Sequence, residues 1–235
     1  MVRSLNEIVY DIIESYRATY KITDSLDERL VSTWVQHYRA ELIKQRLEEP
    51  MRNIDEHWVQ DLGSIEMQPV DSSIVTSYPS NKYILRSVRE IPPTIQAKVG
   101  IGTFTRISPA DKLESNFNMV SYERALVSGN GKFNSNDVFA FLDNKHLCLI
   151  SKTNLHKHIK YIHVKGVFQN PIEAYEFAND GNTYSWDIEY PISEGLISAI
   201  KSFIKDKELR FKLAPMEDNI TDGADTLVNM NLKSK

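Results

Sequence analysis

The chain has 235 residues, 41% hydrophobic and 26% charged, with a formal net charge of −4, enough for one large domain or two small ones. A pI near 5.9 argues against a protein that binds nucleic acid by neutralising phosphates. A single cysteine, Cys148, excludes an internal disulfide, and no run approaches the ~18 apolar residues of a membrane span. Met1-Val2-Arg3 leads straight into Glu7, Asp11 and Glu14, unlike a secretory leader, so the expectation is a soluble protein made in a cytoplasm.

The strongest local signal is residues 4–49. Ser4-Leu5-Asn6-Glu7 has capping-box spacing, and Leu5, Ile8, Val9, Ile12, Ile13 and Tyr16 recur with helical period. A second box at Ser25-Leu26-Asp27-Glu28 starts a helix with the stripe Leu26, Leu30, Trp34, Val35, Tyr38 and Leu42. That helix runs until Pro50, which removes an amide and disfavours helix just before it. The two read as an amphipathic helical hairpin.

From 53 to 109 the helical rhythm disappears, and five of the nine prolines fall here: Pro69, Pro79, Pro92, Pro93 and Pro109. Proline demotes a run to an edge strand or a loop. Strands are predicted at 58–67, with a bulge or bend at Gly63, and at 82–88, with a weaker one at 100–105. Residues 117–164 form the clearest β region. Segments 137–142 and 146–150 flank Asp143-Asn144-Lys145, a turn rich in residues that tolerate left-handed backbone. Another strand, 161–168, stops at Asn170-Pro171. Helix returns at 171–177, with Pro171 suited to the first turn. It returns again from Ser193, where Leu196, Ile197, Ile200, Phe203 and Ile204 make a stripe and Lys205, Lys207 and Arg210 suit the dipole. Residues 214–235 are polar, without periodicity, and too poor in apolar surface to order themselves.

The expected fold class is therefore α+β. An N-terminal amphipathic helical hairpin (1–52) packs with a C-terminal helical segment (169–213). A mainly β, antiparallel insertion of at least four strands (53–168) lies between them, and an extended polar arm (214–235) ends the chain.

Chemistry-bearing patterns are weak. His146, His156, His158 and His163 cluster in sequence with Cys148, but no second ligand pair completes a zinc spacing. Gly129-Asn130-Gly131-Lys132 lacks the spacing, the Ser or Thr and the helix of a phosphate loop, and reads as a hairpin turn. Gly100-x-Gly102 lacks a third glycine. Asp218-Asn219-Ile220-Thr221-Asp222-Gly223 opens like a calcium loop, but Ile220 takes a ligand position and Asn229 stands where the bidentate Glu belongs. Cys148 sits among Leu147, Leu149 and Ile150, as a core residue rather than a nucleophile. Arg39, Lys44 and Arg46, with Glu41 between, read as a solvated helix face with i, i+4 pairs. No catalytic, cofactor-binding or metal-ligating residue is expected, and the chain reads as an assembly subunit.

Several motifs resemble a family. Ser4-Leu5-Asn6-Glu7-Ile8-Val9, Tyr16-Arg17, Thr23-Asp24-Ser25-Leu26-Asp27 and Arg39-Ala40-Glu41-Leu42-Ile43-Lys44-Gln45 look like the opening of a structural protein of crAss-like bacteriophages. Val167-Phe168-Gln169-Asn170-Pro171-Ile172-Glu173-Ala174, Asp187-x-Glu189-Tyr190-Pro191-Ile192-Ser193, and Lys207-Glu208-Leu209 ahead of Pro215 and Asp222 look like its later signatures. The resemblance spans Ser4 to about Asp225 and is to the first ring protein, the head-to-tail connector below the portal. It implies a non-enzymatic virion protein of the phage neck and tail, without a cofactor. It further implies a homo-oligomeric ring of twelve copies that touches the portal protein and downstream tail or ring proteins. Genomic DNA passes through the lumen during ejection without sequence readout, and residues 214–235 become an arm gripping the portal or a neighbouring subunit. The rival readings are another ring or tail component of the same virion, a packaging accessory that binds duplex DNA, and a metal-dependent enzyme.

Overall fold

The computed structural model describes residues 3–20, 26–49, 54–70, 79, 82–96, 102–111, 116–130, 136–153 and 158–209. The proposed arm, 214–235, and the calcium-like run at 218–223 lie outside them.

Helix α1, Leu5–Tyr20, opens with the capping box: the Glu7 amide donates to Ser4 Oγ, and the Ser4 amide to Glu7 Oε2, both at 3.2 Å. Its apolar stripe is wholly buried. Helix α2, Glu28–Glu48, is capped by Asp27, whose side chain accepts the Arg29 amide at 2.9 Å. The expected Ser25 cap lies outside the described residues. The buried face of α2 is wider than the sequence stripe and includes Val31, Ser32, Arg39, Ile43 and Leu47.

A 3₁₀ turn, Glu56–Trp58, then delivers the chain into the sheet. The strands are β1 Gln60–Pro69, β2 Tyr83–Ser87, β3 Phe104–Pro109, β4 Asn118–Met119, β5 Phe139–Asp143, β6 His146–Ser151 and β7 Tyr161–Gly166. Helix α3, Tyr122–Val127, intervenes between β4 and β5. Helices α4, Pro171–Ala178, and α5, Glu194–Phe203, follow, and α5 passes into a π-helical turn, Ile204–Leu209. No described helix is long and apolar enough to cross a membrane.

The seven strands form one sheet in the order β3-β7-β1-β2-β6-β5-β4, antiparallel except for the β4–β5 pair. The long strand β1 turns the sheet. Its first part, from Gln60 to Glu66, pairs with β7, and its end, from Met67 to Pro69, pairs with β2. A bulge between Asp61 and Gly63, with Gly63 at φ 73°, shifts the alternation so that Leu62, Ile65 and Met67 all face inward. The two ends then nearly meet. The Phe117 amide, just ahead of β4, donates to the Ile107 carbonyl of β3 at 2.7 Å. A methyl group on Gly102, leading into β3, would lie 3.1 Å from Leu142 Cδ1 on β5 and 2.4 Å from Thr94 Oγ1. Only glycine fits that approach.

The expected fold class is overturned by this sheet. The fold is a mixed, seven-stranded, nearly closed barrel with a few helices outside it, not a helical hairpin carrying an insertion. Pro69 and Pro109 end β1 and β3, where the missing amide costs least, and Pro92-Pro93 follow β2. They punctuate the sheet instead of excluding it.

The barrel encloses one core, with Ile107, Leu85, Leu147, Leu149, Ile162 and Val164 buried together and Phe168 and Ala174 at its margin. Helix α3 covers the outer side of β2, β6 and β5, burying Ile84, Phe141, Cys148 and Ile150 against Ala125. A third cluster joins α1, α2 and α5 with Trp58, Ile95, Val167 and Tyr190.

The β5–β6 turn places Asn144 at φ 46° and Lys145 at φ 64°, the left-handed pair of a tight hairpin. Lysine there carries a steric cost of roughly 1–2 kcal/mol that glycine avoids. Lys145→Gly should therefore stabilise the protein by about 0.5–1 kcal/mol, read as a higher urea midpoint with unchanged slope.

Candidate functional site

Arg39 stands mid-way along α2 and is fully buried. Its guanidinium donates to the Pro191 carbonyl at 2.7 Å, the Phe168 carbonyl at 3.0 Å and the Trp58 carbonyl at 3.5 Å. It lies 5.8 Å from the centre of the Tyr190 ring. Burial pushes its pKa down, with Tyr190 acting the other way. Burial also raises the Tyr190 hydroxyl, which has no hydrogen-bond partner among the described residues. No ion pair among the described residues involves Arg39, so main-chain carbonyls alone satisfy a buried cation. Arginine can do this because its donors form a fixed planar fork. Around it, Trp58 Nε1 donates to Ser193 Oγ at 3.1 Å, and Arg46 lies over the Trp58 ring at 5.8 Å.

Two further joints tie the helices to one another. Asp11 of α1 takes Arg3 at 2.9 Å and Lys201 of α5 on the same oxygen. The hydrogen bond from Lys201 leads in holding the Asp11 carboxyl below its ordinary 3.8, and Arg3 adds to it. At the far end, Tyr38 donates to Glu208 Oε1 at 2.6 Å and stacks on Phe203 at 5.9 Å. Lys207 lies over both rings and 4.0 Å from Glu41. Burial foremost, then the Glu208 bond, pushes the Tyr38 hydroxyl up to about 12. In the barrel, Lys82 is buried and donates to the Ala125, Leu126 and Ser128 carbonyls at the end of α3. Positive charge suits that end of a helix.

The outer side of β1, β7 and β3 is polar. Asp61 lies 3.1 Å from both His163 and Lys165, with Arg106 opposite Lys165 across the β3–β7 register.

The structure scatters the sequence candidates. His146 Nδ1 lies 2.8 Å from the Ser87 carbonyl at the start of β6, while His163 pairs with Asp61 on β7. In the sheet order β2 and β1 lie between those two strands. His158 is exposed, and His156 lies outside the described residues. Cys148 is buried under α3. No group of three or more His, Cys, Asp or Glu among the described residues is placed to hold a metal. Gly129, at φ 75°, follows the end of α3 rather than turning a hairpin; Gly131 and Lys132 lie outside the described residues. Of the basic trio, Lys44 is exposed and Arg46 rests on Trp58, but Arg39 is not on a solvated face at all. The sequence carried a signal for it. Val31, Val35, Arg39, Ile43 and Leu47 form one i, i+4 row, apolar except at its centre.

These long-range polar joints hold the helical layer to a nearly closed, seven-stranded mixed barrel whose outer side at β1, β7 and β3 is polar. The chain belongs to the crAss phage tail ring protein 2 family, whose model, described as phage tail ring protein 2, matches residues 7–226. It is thus a bacteriophage ring and tail structural protein of the virion. The match is to the second ring protein, where the motifs of the sequence resemble the first. No curated protein matches the chain.

Asp11 gives the helical joints a pH signature. Because its folded pKa is depressed, the clamp contributes stability above the ordinary value of 3.8 and loses it as pH falls through the lower folded value. Urea midpoints measured on lowering pH from 5 should therefore fall more steeply below 3.8 in the wild type than in Asp11→Asn.

Proposed function

We propose that this chain is one copy of a closed homo-oligomeric ring in the phage neck, in the head-to-tail stack below the portal, with genomic DNA passing through its lumen. The single observation that carries the reading is the family match over residues 7–226. The number in the family's description favours a ring stacked beyond the first one, with other ring or tail proteins as its neighbours. Twelve copies remain the expected stoichiometry, from the resemblance of the motifs to ring connectors.

The physics of the chain supports this. A cyclic ring repeats one heterologous interface until the rotation closes. Closure demands that every copy present both faces at the same angle, so helices and barrel must move as one body. Arg39 and Trp58 supply such joints, and Asp11 fixes α1 to α5 within the helical layer. A lumen through which duplex slides calls for few phosphate-binding clusters, in line with a net charge of −4. The rival reading, a duplex-binding accessory using the basic end of α2, loses its first cation to the interior. The role is non-catalytic in this proposal.

Native mass spectrometry and electron microscopy of the purified protein, alone and mixed with portal and the other neck proteins, test it. Closed rings of a single copy number with an open centre are expected. A monomer in every mixture, or tight DNA binding that collapses with added salt, would overturn it.

A further inference from the structure

Where the chain leaves its last described turn, it passes an open cavity. Ile12 and Tyr16 of α1 and Leu209 at the end of the π-helical turn give it an apolar wall, and Lys201 and Lys205 also line it. Its volume is about 290 Å³, and a cavity of about 150 Å³ with aliphatic walls already accepts a benzene ring. The two cations do not call for an acidic occupant. Asp11 holds Lys201, and Ser202, on the same wall, donates to Asp206. An ammonium group also suits the face of an aromatic ring.

The sequence supplies such a ring at once. Leu209-Arg210-Phe211-Lys212-Leu213 alternates apolar and basic residues. An extended continuation therefore puts Leu209, Phe211 and Leu213 on one face and both cations on the other. Leu209 is already buried in the helical core, so the face it buries is the face that Phe211 shares. The α-carbon of residue 211 lies within about 7 Å of that of Leu209. A side chain tethered so closely has an effective concentration on the order of millimolar or more, against which a free partner or a second copy competes poorly. The family match also runs past Leu209, to residue 226.

We propose that Phe211 of the same chain fills the cavity between α1 and α5, with Leu213 over its mouth. The inference goes beyond the ring reading and does not depend on it. It makes residues 210–213 a strap that closes the helical layer, so that any arm formed by 214–235 starts from a fixed point.

The full-length protein carrying photo-activated p-benzoylphenylalanine in place of Phe211 tests this. The expected product is a cross-link from position 211 to residues 12–16 or 201–205 of the same chain, running as a monomer under denaturing conditions with a yield unchanged by dilution. In the full chain, Phe211→Ala should speed amide exchange in the second half of α1 and in 200–209 about tenfold, and Phe211→Leu should keep most of the protection. Cross-links to the same residues in covalent dimers would give the cavity to a second copy and overturn docking within the chain. Cross-links elsewhere, no cross-link, or wild-type exchange in Phe211→Ala would overturn the occupant altogether.

Discussion

A lone buried guanidinium sets the terms of this structure. Arg39 reaches the carbonyls of Trp58, Phe168 and Pro191, which belong to the entry to β1, the exit from β7 and the approach to α5. Three passages of the chain beside α2 are therefore tied to one side chain. Burying such a charge costs several kcal/mol in lost hydration. The hydrogen bonds offset that cost only while all three carbonyls stay in place, which makes the arrangement specific as well as stabilising. A hydrophobic residue of the same size could fill the volume but would leave the carbonyls without donors.

The barrel obeys a similar economy. β1 is shared between two halves of the sheet, its bulge at Gly63 corrects the alternation, and β3 and β4 close toward each other across Ile107 and Phe117. Exposed strand edges invite uncontrolled pairing between chains, so near closure leaves copies of a ring protein to meet through other surfaces. The outer sides of β1, β7 and β3 are polar, and one flank of α2 is exposed. Lys82 plays a smaller version of the part Arg39 plays, holding α3 against the barrel through three carbonyls.

Much of the local structure was legible in the sequence, and the architecture was not. The Ser4–Glu7 box, the hairpin about Asn144-Lys145, the bulge at Gly63 and Pro171 at the start of α4 depend on neighbouring residues alone, and all four are present. Strand β4, at two residues, carries no periodicity, and α3 is a short helix whose burial comes from the sheet beneath it. Closure depends on how β1 bends and on the contact of Gly102 with Leu142, neither of which a one-dimensional pattern contains. Arg39 lies between these cases. Its place in the row from Val31 to Leu47 was readable, but the usual preference of arginine for solvent hid it. At the start of α2, Asp27 is the cap, and Ser25 of the expected box lies outside the described residues.

The measurement that bears most directly on this picture is amide hydrogen exchange on Arg39→Met beside the wild type, with unfolding by urea. Loss of the three shared donors should destabilise the protein by about 3 kcal/mol or more. Protection should fall first in α2 and around Trp58, Phe168 and Pro191, while β6 and β7 keep theirs. A variant within about 0.5 kcal/mol of wild type, with unchanged exchange along α2, would contradict it.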